Sequence, residues 1–219
     1  MAVLMQQELD SLKKTLLELS AEVEGRVKQA VQALLSGDRE LAQKVKTGDS
    51  QIDNMEIELE EECLKVLALH QPVATDLRFI VSVLKINNDL ERVADFAVNI
   101  AQRSLDLGDV ERIDCPYDIA TMAELVERML KMALDSLVES DTELARQTIR
   151  LDDDVDDMHK ANFTSVKEAI RKDITSLDSL VLYLSISRYL ERMADLATNI
   201  AEDVVYQVAG EIIRHGGIQ

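Results

Sequence analysis

The sequence predicts an all-α protein built as a tandem duplication of a three-helix bundle. Its 219 residues are 47% hydrophobic but only 3% aromatic, which favours helices over sheets. Seven Gly and two Pro are too few for a β-sandwich or barrel, which needs a turn about every 8–12 residues. Segments of the first half also recur in the second half about 100 residues later.

Five short interruptions divide the chain into six long helical segments. They lie at residues 36–38, 70–72, 108–116, 140–143 and 173–176, where Gly, Pro, Ser or Asp stop and start helices. The third interruption is the longest, so we expect one three-helix unit at residues 1–110 and another at 114–212. Short connections imply antiparallel neighbours within each unit. The third segment of the first unit, near residues 73–107, is expected to be about 50 Å long.

The repeat is detailed enough to align the two units residue by residue. Residues 38–42 recur as 141–145 at an offset of 103. Residues 90–101 recur as 190–201 at an offset of 100, and nine of these twelve positions are identical. Shared helical composition does not produce such identity, so both halves should place equivalent side chains at equivalent points of the fold.

The charge of the chain limits its partners. A formal net charge of −18 repels nucleic-acid phosphates and anionic lipid headgroups, so we expect no nucleic-acid partner and no direct membrane insertion. No apolar run approaches a membrane span, and the first residues lack the pattern of a signal peptide. Cys63 and Cys115 lack metal-type spacing and are predicted to be buried free thiols. The expected location is therefore the cytoplasm.

Paired carboxylates are the main candidate functional residues. At 100° per residue, Glu91 and Asp95 share one stripe at the rim of the buried face, and Asp49 and Asp53 do the same on the preceding helix. We expect two clusters, one in each unit: Asp49, Asp53, Glu91 and Asp95, and Asp152, Asp156, Glu191 and Asp195.

Such clusters need counter-charge. Two carboxylates about 6 Å apart repel by roughly 2–3 kcal/mol at an effective dielectric constant of 20. A bound multivalent cation would offset this repulsion, and oxygen ligands suit Mg, Ca, Mn or Fe. Asn99, Asn199 and His159 are further candidate ligands. The alternative is that the carboxylates are solvated stripes paired with Arg92 and Arg192, and that the asparagines only bond to neighbouring helices.

Motifs for catalysis are absent from the sequence. It holds no phosphate-binding Gly-rich loop, nucleophile elbow or Cys–His constellation, and no Glu-x-x-His of the kind that di-iron bundle enzymes use. We therefore predict a non-enzymatic protein. A carboxylate-ligated metal store or redox bundle is the alternative function, and a metal-free helical scaffold is a third.

Segments 90–101 and 190–201, together with 71–78 leading into 84–92, resemble the PhoU family. The resemblance implies a cytoplasmic, homodimeric, all-α negative regulator of phosphate uptake. Such a protein acts with the ATPase subunit of the Pst phosphate ABC transporter and a PhoR-type sensor histidine kinase. Some members bind metal through Glu/Asp-x-x-x-Asp motifs, which match the four acidic pairs and leave Fe, Mn, Zn and Mg open. Phe96 stands where the family often has His.

Overall fold

A computed structural model describes residues 2–48, 50–110 and 113–213. The regular secondary structure of this part of the chain is entirely helical, with no strand, which confirms the predicted fold class. A 3₁₀ turn at Ile174–Ser176 precedes the last helix. The α-helices are α1 Ala2–Ser36, α2 Arg39–Thr47, α3 Ser50–His70, α4 Ala74–Leu107, α5 Ile119–Glu139, α6 Thr142–Arg150, α7 Asp152–Lys172 and α8 Leu177–Ala209.

Six of these helices are long, as predicted, and two short ones were not foreseen. In each unit a nine-residue helix, α2 or α6, precedes the long second helix. The side chain of Asp38 caps α2 by accepting from the backbone N–H of Leu41, and Asp141 caps α6 in the same way. At the other end of α2, the Arg26 guanidinium donates to the carbonyl oxygens of Val45 and Gly48 at 3.3 and 2.7 Å. These bonds satisfy carbonyl groups that the helix end leaves open, and they stabilise a break that helical periodicity does not reveal.

The centre of the molecule is the antiparallel pair α4 and α8. Phe96 of α4 stacks on Tyr189 of α8, and Ser82 donates to the carbonyl oxygen of Asp203. Helices α1, α2 and α3 pack on α4, while α5, α6 and α7 pack on α8. Small residues on α4 and their repeat counterparts on α8 are fully buried: Ala94, Ala97, Ala101, Ala194, Ala197 and Ala201. Their short side chains let neighbouring helices approach closely.

Both cysteines are free thiols in the described chain. Cys63 is fully buried, as predicted, whereas Cys115 is only partly buried. Burial raises the pKa of Cys63 to about 12 and that of Cys115 to about 11. Both side chains are therefore protonated and poorly reactive near neutral pH. Over the described ranges, none of the helices is long and apolar enough to cross a membrane.

We expect Leu90→Ala to lower the free energy of unfolding by about 3 kcal/mol. Leu90 is completely buried in α4, and truncating it leaves a cavity that close-packed helices fill only in part. Urea unfolding followed by circular dichroism measures the loss. Leu64→Ala on α3 is the matched control, because Leu64 is 53% exposed and its truncation should cost less than about 1 kcal/mol. Equal losses would contradict the packing described here.

Candidate functional site

The acidic motifs lie where α3 packs against α4 and where α7 packs against α8. Each motif residue on α4 and α8 directly neighbours a core position: Asp95 follows the buried Ala94, and Asp195 follows the buried Ala194. The core contacts therefore fix the carboxylates at the edge of the helix interface. Asp49 lies outside the described residues.

In the first unit, α3 and α4 bring Asp53 and Asp95 together. Partial burial raises the pKa of Asp95, and the negative charge of Asp53 raises it further. Glu91 and Asn99 are half-buried on the same helix as Asp95. The nearby Arg92 pairs with Asp89, where Nη1 lies 3.8 Å from Oδ1.

In the second unit, Asp152 and Glu191 each interact electrostatically with both Asp195 and Asp156. Burial raises the pKa of Asp152 to about 6, and the charges of Asp195 and Asp156 contribute. Burial also raises the pKa of Glu191, again helped by Asp195. A raised carboxyl pKa means that the ionised form is disfavoured, here mainly through burial and further through the neighbouring carboxylates.

Basic side chains partly neutralise the second cluster. Arg188 Nη1 lies 2.9 Å from Glu191 Oε1, and Arg192 Nη1 lies 3.1 Å from Asp195 Oδ2. Lys160 Nζ lies 3.7 Å from Asp156 Oδ2. The repeat positions in the first unit are Asn88 for Arg188 and Ile57 for Lys160, so the first cluster lacks two of these cations. These ion pairs reduce the repulsion within the second cluster, but the raised pKa values of Asp152 and Glu191 show that part of it remains.

The motif side chains carry the oxygen ligands that a hard cation prefers, but the structure does not arrange them as a metal site. Glu191 Oε2 is buried without a hydrogen-bond partner, and carboxylate oxygens are the ligands that such ions take. Among the described residues, however, no three His, Cys, Asp or Glu side chains are grouped so that they could hold one ion. Metal ligation by the motif residues stays a prediction, and it requires side-chain movement.

His159 belongs to a buried polar network between α5, α7 and α8. Its Nδ1 lies 2.8 Å from Ser187 Oγ, and Asn162 Nδ2 donates to the same oxygen at 3.1 Å. Asn162 Nδ2 also lies 3.3 Å from Met122 Sδ. Burial lowers the pKa of His159, with the positive charge of Arg188 adding to the shift, while Asp156 acts in the opposite direction. The shift favours the neutral form of His159.

The first unit has a counterpart to this network at the same repeat positions. Asn87, which corresponds to Ser187, donates to the backbone carbonyl of Glu56 at 2.9 Å, and Glu56 corresponds to His159. Sequence analysis did not single out Asn87, Asn162 or Ser187. The available signal was a polar residue at a core position of the helical pattern, since all three are buried.

A polar cleft between α4 and α8 was also not predicted. Its volume is about 630 Å³, and Asn88, Asn199 and Glu202 are among its lining residues. Lys85 Nζ contacts Asp203 Oδ1 at 2.7 Å there, with Asp203 almost fully buried. Asn199 lines the same cleft as Lys85 and Asp203. Ligation of a metal by Asn99 or Asn199 remains a prediction.

Comparison with known proteins gives consistent results over nearly the whole chain. The family model for the PhoU domain matches residues 16–104 and 119–204. The phosphate-specific transport system accessory protein PhoU homolog of Pseudomonas putida is 35% identical over 213 residues, which is 97% of this chain and 83% of that protein. The homolog from Pseudomonas aeruginosa is 35% identical over 96% of this chain and 88% of its own length.

Solved structures agree with these sequence relatives. The crystal structure of PhoU from Pseudomonas aeruginosa matches with a TM-score of 0.90 at 34% identity, covering 94% of this chain and 99% of that one. The crystal structure of the phosphate transport system regulatory protein PhoU from Streptococcus pneumoniae matches with a TM-score of 0.88 at 29% identity, covering 96% of this chain and 100% of that one.

We expect Asp152→Asn to change the pH dependence of stability. The folded-state pKa of Asp152 is about 6 against an ordinary value of 3.8, so the folded protein binds this proton more tightly than the unfolded chain does. The contribution of Asp152 to stability therefore falls as pH rises from about 4 to about 6. Because the carboxyl is only half-buried, we expect the variant to gain about 1 kcal/mol over wild type across this range.

Urea unfolding of the chelator-treated protein at a series of pH values measures this difference. Asp154→Asn is the control, since Asp154 is exposed on the same helical turn. Parallel pH profiles for wild type and Asp152→Asn would contradict the electrostatic coupling in the cluster.

Proposed function

The chain belongs to the PhoU family, and we propose that it acts on this basis as a non-enzymatic negative regulator of phosphate uptake. The observation that carries the proposal is that the PhoU domain model matches both repeats, at residues 16–104 and 119–204. Its relatives are accessory proteins of phosphate transport systems, not enzymes, in agreement with the absence of catalytic motifs in the sequence.

The partners that we propose are the ATPase subunit of a phosphate ABC transporter and a PhoR-type sensor histidine kinase, both contacted from the cytoplasm. The net charge of −18 supports recruitment through basic protein surfaces, because anionic headgroups repel a chain of this charge. The homodimer that the family resemblance implies stays a prediction at this point.

Expression of this chain should restore repression in a bacterium that lacks its own phosphate transport accessory protein. With phosphate in excess, a reporter of the starvation response is expected to stay high in the deletion strain and to fall when the wild-type chain is supplied. A reporter that stays high although the chain accumulates would contradict the proposed regulation.

Binding of the purified full chain to the transporter ATPase should weaken as salt rises. Attraction between the acidic chain and basic surfaces is screened beyond a Debye length of about 8 Å at physiological ionic strength. A pull-down over a salt series measures the retained fraction. Retention that does not change with salt would indicate an apolar docking site instead.

We also propose that the second acidic cluster binds a divalent or trivalent cation. Glu191 Oε2, which is buried and accepts no hydrogen bond, and the raised pKa of Asp152 support this, since a cation would offset the repulsion among these carboxylates. Asp152, Asp156, Glu191 and Asp195 would hold it, and the described Asp53, Glu91 and Asp95 are their counterparts in the first unit. Fe, Mn, Zn and Mg remain open.

Metal binding is tested by adding Mn²⁺ to chelator-treated protein. Wild type should retain metal in elemental analysis and unfold at a higher temperature than the metal-free protein, because the ion binds only the folded cluster. Glu191→Gln combined with Asp195→Asn should lose most of this gain. Glu91→Ala combined with Asp95→Ala tests the first unit, and Glu139→Gln combined with Glu168→Gln is a control at exposed acids elsewhere.

The outcomes separate the candidate functions. No retained metal and no change in melting temperature for wild type would leave the motifs as solvated acidic stripes and the protein as a metal-free scaffold. Turnover of ferrous iron with peroxide would favour the alternative of a metal-storage or redox bundle over a regulator.

A further inference from the structure

The polar cleft between α4 and α8 has the dimensions of a small-molecule site. Its volume of about 630 Å³ lies within the roughly 300–1,000 Å³ of ligand pockets in proteins. A smaller cavity of about 230 Å³ adjoins it, because the two share three lining residues: Lys85, Glu202 and Asp203. Val81 and Ile213 line only the smaller cavity and give it apolar walls. The combined space suits an organic molecule that has both charged and aliphatic parts.

The floor of the cleft is charged. Asp203 and Asp89 are 4% and 9% exposed, although carboxylates are rarely buried unless they are paired. Glu202 adds a third carboxylate, and Lys85 supplies one ammonium group. The described lining residues therefore carry a formal excess of two negative charges. The exposed Arg92 offsets this excess only in part, since its Nη1 stays 3.8 Å from Asp89 Oδ1.

The other repeat does not share these charges. At the offset of 100, the positions that correspond to Lys85, Asp89 and Asp203 hold Ser185, Tyr189 and Arg103. Tyr189 stacks on Phe96 instead. The buried alanines of α4 and α8, in contrast, are the same in both repeats. Packing of the two helices therefore does not account for the buried charges, which indicates a role in binding.

Lys85 shows that this environment stabilises an ammonium group. Its Nζ lies 2.7 Å from Asp203 Oδ1 and 5.4 Å from the centroid of the Tyr206 ring. A carboxylate together with an aromatic face is a favourable setting for a primary ammonium. A single metal ion fits less well, because no three His, Cys, Asp or Glu side chains of the described chain are grouped to hold one. The carboxylates suit a larger cation whose charges lie apart.

We propose that the cleft binds an aliphatic diamine, a molecule with an ammonium group at each end of a short methylene chain. Its two positive charges match the two excess negative charges of the cleft. Asp89 and Glu202 would accept hydrogen bonds from the ammonium groups. The amide oxygens of Asn88 and Asn199, at the exposed rim, would accept further ones. The methylene chain would pack on Leu84, which also lines the cleft.

The overall charge of the chain requires a control for general attraction. At a net charge of −18, any acidic surface of the protein attracts a dication at long range. Salt screens this attraction beyond about 8 Å at physiological ionic strength, whereas contacts within the cleft persist. Binding is therefore measured at physiological ionic strength, with chelator-treated protein so that no divalent ion competes.

The first test is a calorimetric titration of the full chain with putrescine. Wild type should bind one molecule saturably. Asp89→Asn combined with Glu202→Gln should bind at least about tenfold more weakly, because both charged acceptors are lost. Glu139→Gln combined with Glu168→Gln, at exposed positions elsewhere, changes the net charge equally and should bind as wild type does.

Two further measurements examine the role of the ammonium groups. Butylamine has one charge on a chain of the same length and should bind wild type more weakly than putrescine. Lys85→Met removes the ammonium beside Asp203 and should lower the melting temperature. Added butylamine should then raise it again, and more than in wild type, because the ion occupies the vacated place. Tetramethylammonium, which donates no hydrogen bond, should not.

Three results would overturn the proposal. One is a wild-type protein that shows no saturable binding of putrescine. Another is a variant with Asp89→Asn and Glu202→Gln that is folded by circular dichroism and binds as tightly as the control, since binding would then reflect general attraction to an acidic surface. The third is equal affinity for butylamine and putrescine. The reporter strain tests regulation of phosphate uptake separately from all three.

Discussion

The close packing of α4 and α8 is the constraint on which the rest of the structure depends. Buried alanines hold these helices near their neighbours, so each helix has a fixed rotation about its axis. That rotation decides where the next residue points. Asp95 follows Ala94 and Asp195 follows Ala194, so both carboxylates are held at the interface edge, beside α3 and α7. A close-packed interior tolerates little change of volume, which explains why this part of the repeat is so similar in the two units.

The two units share their core but differ in electrostatics. The second acidic cluster is accompanied by Arg188 and Lys160, whereas the first has Asn88 and Ile57 at these positions. Surface substitutions usually change stability by less than about 0.5 kcal/mol, so duplicated surfaces diverge without cost to the fold. The same freedom explains why the exposed side chains of residues 57–69 on α3 are mainly acidic, whereas those of residues 160–172 on α7 are mainly basic.

Several features of the candidate site could be read from the repeat and the helical period. The rim position of Glu91 and Asp95, and of Glu191 and Asp195, follows from which neighbours are apolar. The ends of the short helices α2 at Thr47 and α6 at Arg150 could not be predicted from the repeat or the helical period. The first depends on Arg26, which lies 22 residues before Gly48 in sequence and reaches its carbonyl oxygen only in the folded chain.

The sequence by itself determined the helical class, the duplication and the face of each helix that is buried, because these depend on local spacing and composition. Only the tertiary structure decided which charges meet. Lys85 and Asp203 are 118 residues apart and form an ion pair across α4 and α8, and His159 bonds to Ser187 within the second unit. Such contacts depend on how helices are rotated and shifted against one another, and that geometry results from packing of the whole core.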